Sequence, residues 1–329
     1  RGFGQSPGKP EAASKKPIDI PPKINIEEQT AQQLLRQGKL PEAELIYKAL
    51  IKQDPRNQEL HSLLGNIQSM RGDHFSAKIS YIKALEINPN SPEILCDLGD
   101  SLRRLGDSKA AKLSYKKAIR SDIENLRAHY NLGLISKAAG ELNDALSSFT
   151  TVAKLKPDLA EAHISIGAIL HEQGQTTAAI TSLKKALSYQ PNSAQAHSNL
   201  GNSLCNLGDL EAAVNALQRA ISIDPNYAEA HNNLGLALQK TGNLSAAISS
   251  FETALHLKKM FPEALSNLGL TLQEAGEIKN SDRVFVNIKT DDNSVPEFLK
   301  LQKNLPIITD SDYQVLPDIS KKLIEKKIK

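Results

Sequence analysis

Tryptophan is absent from the 329-residue sequence, and the remaining aromatics come to only 7 Tyr and 7 Phe. A chain of this length without large aromatic fillers suits many short, similar helix contacts better than one jigsaw core. Cysteine is equally scarce. Cys96 and Cys205 lie far apart in the sequence, which excludes a disulfide framework or a closely spaced metal site and agrees with a reducing compartment. No apolar run reaches the roughly 18 residues that a membrane span needs. The net charge is only +3, so the basic bias of a nucleic-acid binder is missing too. The expectation is a cytoplasmic protein whose partner is a protein or peptide, not nucleic acid or membrane. Arg1 is not a residue that normally follows removal of an initiator Met, so the sequence reads as a fragment or processed chain with room for a targeting segment upstream.

What the sequence does have is periodicity. Gly65, Gly99, Gly133, Gly167, Gly201, Gly235 and Gly269 recur every 34 residues. A second comb, Gly72 to Gly276 with Gly38 upstream, follows seven residues behind the first. Setting the first comb at repeat position 8 places eight repeats over residues 24–295. Within each, two apolar runs with helical spacing flank the second glycine, as in Ala230, Leu234, Leu238 and then Ala247, Ile248, Phe251, Leu255. The glycine at position 15 supplies a left-handed stop for the first helix. Pro55, Pro89, Pro157, Pro191 and Pro225 at position 32 close the second. Small residues stand where two backbones must approach, Gly at position 8 and Ala43, Ala77, Ala111, Ala145, Ala179, Ala213 and Ala247 at position 20. Tyr47, Tyr81, Tyr115, Phe149, Leu183, Leu217, Phe251 and Phe285 at position 24 fill the space between them.

This pattern resembles the tetratricopeptide repeat (TPR) family, and the resemblance covers about four fifths of the chain. It implies an all-α fold, a right-handed α-solenoid of about eight 34-residue helix pairs. Ala31 replaces the glycine of the first repeat, and Ser281, Ile288 and Asn293 depart from the pattern in the last, so both ends read as degenerate capping repeats. Residues 1–23, rich in proline and glycine, read as a disordered leader. Residues 296–329 read as capping helices or as a linker to a further domain.

Candidate chemistry is sparse. His61, His129, His163, His197 and His231 all occupy position 4. Equivalent residues of successive repeats are about 10 Å apart, too far to share a metal ion that needs ligands near 2 Å, so these histidines read as structural. No phosphate loop, zinc-protease motif or nucleophile elbow is present. No cofactor and no catalytic activity are expected of these residues, and their oligomeric state is left open.

Position 6 is more informative. It falls on the face of the first helix that lines the concave wall of TPR superhelices, and it reads Asp97, Asn131, Ser165, Asn199, Asn233 and Asn267. Asparagine is a poor interior helix residue. Either duplication copied an exposed residue, or the amides pair with the backbone of an extended peptide. The series is similar to the asparagine ladder in TPR arrays of O-linked N-acetylglucosamine transferase, and tandem-TPR proteins of bacteria offer a second likeness. Chaperone-binding TPR domains resemble a two-carboxylate clamp that needs Lys at position 5. Position 5 reads Ser62, Cys96, Tyr130, Ile164, Ser198, Asn232 and Ser266, which argues against a clamp. Arg103, Arg104 and Lys137, near the ends of two first helices, could meet an acidic partner or merely complement helix dipoles. The leading expectation is an interaction scaffold that binds an extended or helical segment in its concave groove. The alternative is the non-catalytic recruiting arm of a larger glycosyl-, sulfo- or methyltransferase.

Overall fold

The computed structural model describes residues 26–276. The expected leader, the second helix of the last repeat and the expected capping helices lie outside the described residues. All regular structure among the described residues is helical, and no helix there is long and apolar enough to cross a membrane. Contacts divide the chain into two compact units, one ending at Ser121 and the other beginning at Asp122. The first unit holds α1 (Ile26–Arg36), α2 (Leu40–Gln53), α3 (Gln58–Met70), α4 (His74–Ile87), α5 (Pro92–Arg104) and α6 (Ser108–Ser121). The second holds α7 (Leu126–Ala138), α8 (Leu142–Leu155), α9 (Ala160–Glu172), α10 (Thr176–Tyr189), α11 (Ala194–Leu207), α12 (Leu210–Ile223), α13 (Ala228–Lys240), α14 (Leu244–Leu257) and α15 (Pro262–Glu274). They fall into the consecutive pairs that the period predicts, with α15 opening the eighth repeat.

The residues at the break dictate the pairing. Every position-15 glycine from Gly38 to Gly276 adopts a left-handed backbone, with φ between 74° and 91°. The next residue often starts the second helix: Asp73, Asp209 and Asn243 accept the backbone N–H of Ser76, Ala212 and Ala246 with their side chains. A stop and a cap on adjacent residues fold the second helix back onto the first. The glycine comb at position 8 then sets how closely the two approach. An added Cβ would lie 2.6 Å from the Tyr81 ring at Gly65, 2.9 Å from Phe149 at Gly133 and 2.5 Å from Leu217 Cγ at Gly201. These are distances that real Cβ atoms do not tolerate. The position-20 alanines and position-24 side chains are fully or almost fully buried in every described pair.

The position-4 histidines tie repeat to repeat. Nε2 of His61 lies 3.0 Å from Pro55 O, and the same contact recurs at 2.9 Å for His129 with Ile123 and for His163 with Pro157. His197 with Pro191 and His231 with Pro225 repeat it at 3.0 Å. A carbonyl only accepts, so Nε2 carries the proton and donates. Each first helix is thereby fastened to the turn that precedes it. Within the first unit α3 also touches α5, and within the second α9, α11, α13 and α15 touch in succession. First helices therefore form the closely packed side of each unit, and the second helices stand on the other.

Candidate functional site

On the closely packed side of the second unit, α7, α9, α11, α13 and α15 carry Asn131, Ser165, Asn199, Asn233 and Asn267, each half-buried. Asn233 and Asn267 are engaged with the preceding repeat. Asn233 Nδ2 donates to Ser198 Oγ of the preceding repeat at 3.2 Å, and Asn267 Nδ2 donates to Asn232 Oδ1 at 3.0 Å. The rule is that position 6 of one repeat donates to position 5 of the one before. An amide suits this register because it can bridge the seam and keep further polar groups: Asn233 Oδ1 also accepts from Asn232 Nδ2 at 3.5 Å, and each amide has a second N–H beyond the one given to the seam. Asn199 is the exception, because position 5 of the preceding repeat is Ile164, which cannot accept. Among the described residues its side chain makes no hydrogen bond, while its backbone oxygen receives Ser203 Oγ at 2.9 Å.

Position 12 adds a feature that the sequence pattern conceals. The half-buried His171, at the end of α9, faces α11. Ser203 Oγ lies 3.1 Å from its Nδ1, and Asn202 Nδ2 and Asn206 Nδ2 lie 3.2 and 3.4 Å from its Nε2. Since the Ser203 proton is directed to Asn199 O, Nδ1–H donates to Ser203 and Nε2 accepts from the two amides. The ring is therefore held neutral in one tautomer. Asn199, Asn202, Ser203, Asn206 and His171 form one polar patch, whereas the sequence pattern singled out Asn199 alone.

Burial pushes His171 below the ordinary imidazole value, and neighbouring Glu172 offsets this only in part. The unfolded chain thus takes up a proton here at higher pH than the folded chain. The stability tied to the neutral ring is complete above about pH 6.5 and is lost as pH falls toward the depressed folded value. Between neutral pH and about pH 5, the Tm of the native chain is expected to fall more steeply than that of His171→Gln. Parallel Tm profiles would mean that folding excludes no proton at this ring.

The basic residues are divided between the units. In the first, Arg103 and Arg104 occupy the last turn of α5, and half-buried Asp97 lies nearly two turns earlier on the same helix. The Tyr115 hydroxyl donates to Asp100, and the Arg103 guanidinium lies beside that hydroxyl. Desolvation, then Asp100, raises the Tyr115 hydroxyl well above its ordinary value. Arg103 is thus built into the scaffold, and only Arg104 is fully exposed. In the second unit, Lys137 in the last turn of α7 sits 3.7 Å from Glu172. That is a solvent-exposed pair of the kind that contributes little to stability. No group of three or more potential metal ligands occurs among the described residues.

Known proteins share the repeat pattern and the fold. Profiles described as tetratricopeptide repeat match residues 29–92, 96–160 and 228–259, and one described as TPR repeat matches residues 167–207 and 201–242. The chain belongs to the tetratricopeptide-repeat family. Such repeats are in general non-catalytic interaction modules, and the protein is accordingly a protein-interaction scaffold. No curated protein matches the sequence. Among solved structures, a tetratricopeptide repeat protein from Parabacteroides merdae aligns with TM-score 0.57 and 19% identity, over 75% of this chain and 97% of that one. The APC/C hetero-tetramer Cut9–Hcn1 aligns with TM-score 0.57 and 18% identity, over 77% of this chain and 50% of that one. YrrB, described as a TPR protein with an unusual peptide-binding site, gives TM-score 0.47 and 22% identity, over 56% of this chain and 96% of its own. At these identities the likeness concerns the fold alone.

Proposed function

We propose that the first-helix face of the second unit binds an extended segment of a partner protein, with Asn199, Asn233 and Asn267 pairing to its backbone. The supporting observation is the seam bonding of Asn233 and Asn267. A side chain already held by its neighbour loses little further freedom when a ligand arrives, so its outward groups are preorganised. Asn131 and Ser165 extend the register toward the start of the unit, and the His171 patch supplies donors and an acceptor at the far end of the same helices. In the first unit, Asp97, Arg103 and Arg104 occupy the corresponding face, where Asp97 would take donors of the partner and the exposed Arg104 its acidic residues, with Arg103 held by Tyr115. Lys137 does the same in the second.

A peptide selected by display against residues 1–329 provides the probe. If each of the three asparagines gives the ligand one hydrogen bond worth about 0.5–1.5 kcal/mol, the triple Ala variant weakens binding by roughly tenfold to a thousandfold, allowing for non-additivity. Two of these substitutions also remove seam bonds, so Asn199→Ala is the cleaner variant. It breaks no side-chain hydrogen bond within the described residues, and its affinity loss is expected to be about twofold to tenfold with Tm unchanged. Fluorescence anisotropy measures the first quantity and a thermal melt the second. Unchanged affinity in the triple variant, with helix content retained, would move the ligand off this face.

A further inference from the structure

On the opposite side of the first unit, where α2, α4 and α6 stand, the surface is not what a solvated helix face requires. Helix α4 buries Ala77, Tyr81 and Ala84, yet Phe75, Ile79 and Ile82 recur at helical spacing on its outer side and are 60%, 41% and 39% exposed. It is apolar on two faces. Position 22 is apolar in all three helices, with Leu45 69% exposed and Leu113 62% exposed on either side of Ile79. In the second unit the same position reads Ser147, Thr181, Asn215 and Ser249. Outer positions equivalent to Phe75 and Ile82 are also polar there, as in Glu211 and Gln218 of α12 or Ser245 and Glu252 of α14. Repeat duplication therefore does not account for the apolar row, because the same fold is built four times without it.

The row borders a cleft. Between α2 and α4 a cavity of about 510 Å³ opens beside Leu45, Ala49, Leu64 and Ile79, with Lys52 and Lys83 among its lining residues. Carboxylates are few on this wall: Glu42 and Glu86 are exposed near the ends of α2 and α4, and Glu44 is already committed. Glu44 is buried, with Lys48 at 2.7 Å, Gln68 donating to it at 3.3 Å and Arg71 ion-paired to it. Beyond α4, α6 carries Lys109, Lys112, Lys116, Lys117 and Arg120 and no acidic residue, and Leu113 lies between Lys109 and Lys116. Among the described residues, Lys83, Lys117 and Arg120 form no ion pair. An apolar row beside Lys83, Lys117 and Arg120, on a wall where cations outnumber carboxylates, selects the charge of whatever covers it. The basic C-terminal stretch does not fit, since residues 318–329 carry Lys321, Lys322, Lys326, Lys327 and Lys329, and the first residues are also basic.

We propose that the outer face of α2, α4 and α6 docks an acidic amphipathic helix of a partner protein, its apolar stripe on Leu45, Ile79 and Leu113 and its carboxylates against the flanking lysines. This surface is separate from the ladder and can be occupied independently of it. A flat lipid surface is disfavoured because the apolar side chains border a cleft sized for a row of side chains.

The test uses a fluorescein-labelled helical peptide of about 20 residues with Leu on one face and Glu on both flanks, together with a twin in which every Glu is Lys. Both are titrated into the full chain. The acidic peptide is expected to bind, to weaken as salt is raised, and to lose about tenfold or more in affinity on Leu45→Glu with Ile79→Glu, as when anchor residues are removed. The lysine twin is expected not to bind. Because apolar-to-charged changes could disturb folding, Lys83→Glu with Lys117→Glu provides a second variant, expected to weaken the acidic peptide and admit the lysine twin while circular dichroism stays unchanged. Equal binding of both peptides, binding of neither, or an affinity loss with Asn199→Ala in place of these variants would overturn the proposal. So would binding of phosphatidylserine vesicles that survives Leu45→Glu with Ile79→Glu while the acidic peptide fails to bind.

Discussion

Replacing Gly201 with phenylalanine is expected to destabilise the chain by about 3 kcal/mol or more, at or beyond the upper end of ordinary overpacking. A single added Cβ would already lie 2.5 Å from Leu217 Cγ and 3.1 Å from the Ala213 backbone oxygen. The leucine tip could swing aside, but the backbone oxygen could not, and a benzyl group needs far more room. The two helices would have to separate, exposing the cluster of Leu200, Leu204, Ala213 and Leu217. Lys184→Ala on exposed α10 surface should change stability by no more than about 0.5 kcal/mol. Urea unfolding measures both, and equal losses would show that position 8 does not set the helix separation.

Phe149→Ala is expected to cost about 3–5 kcal/mol. Its ring is fully buried and meets Tyr130 edge-on, with centroids 5.6 Å apart. The sharper expectation concerns its partner. A Cβ on Gly133 would fall 2.9 Å from the Phe149 ring, so Gly133→Ala alone introduces a clash. Once the ring is gone that clash disappears, while alanine keeps its advantage over glycine inside a helix, up to about 1 kcal/mol. Gly133→Ala with Phe149→Ala should therefore be more stable than Phe149→Ala alone, and the two effects should fail to add. Strict additivity would mean that the two positions do not compete for the same space.

The 34-residue comb made most of the fold readable in the sequence, because glycine at positions 8 and 15 reports two different constraints, close approach and a left-handed turn. The structural role of His61 and its equivalents was also readable. Their partner, the carbonyl at position 32, was not, since the contact joins residues whose proximity appears only once the turn is built. The ladder is legible as one register of asparagines, but its coupling to position 5 depends on which helices touch. Placing positions 5 and 6 of successive repeats side by side would have set Asn199 apart through Ile164. His171 is not marked by any register, because it stands off the position-4 comb. The outer row of Leu45, Ile79 and Leu113 is hidden for the opposite reason: position 22 is apolar in only three repeats, so a search for constant features passes over it.

The seam bonds carry one more consequence. Asn233 to Ser198, Asn267 to Asn232 and Lys240 to the Cys205 carbonyl each span 35 residues of chain, one repeat and one residue. The histidine bonds to the turn carbonyls span six. Interactions of such short reach close only small loops, which lowers contact order and speeds folding. Assembly within each unit can then begin at any repeat and spread to its neighbours like a zipper. Amide hydrogen exchange should accordingly be graded along the second unit, slowest around α11 and α12, where both sides of a repeat are covered by another.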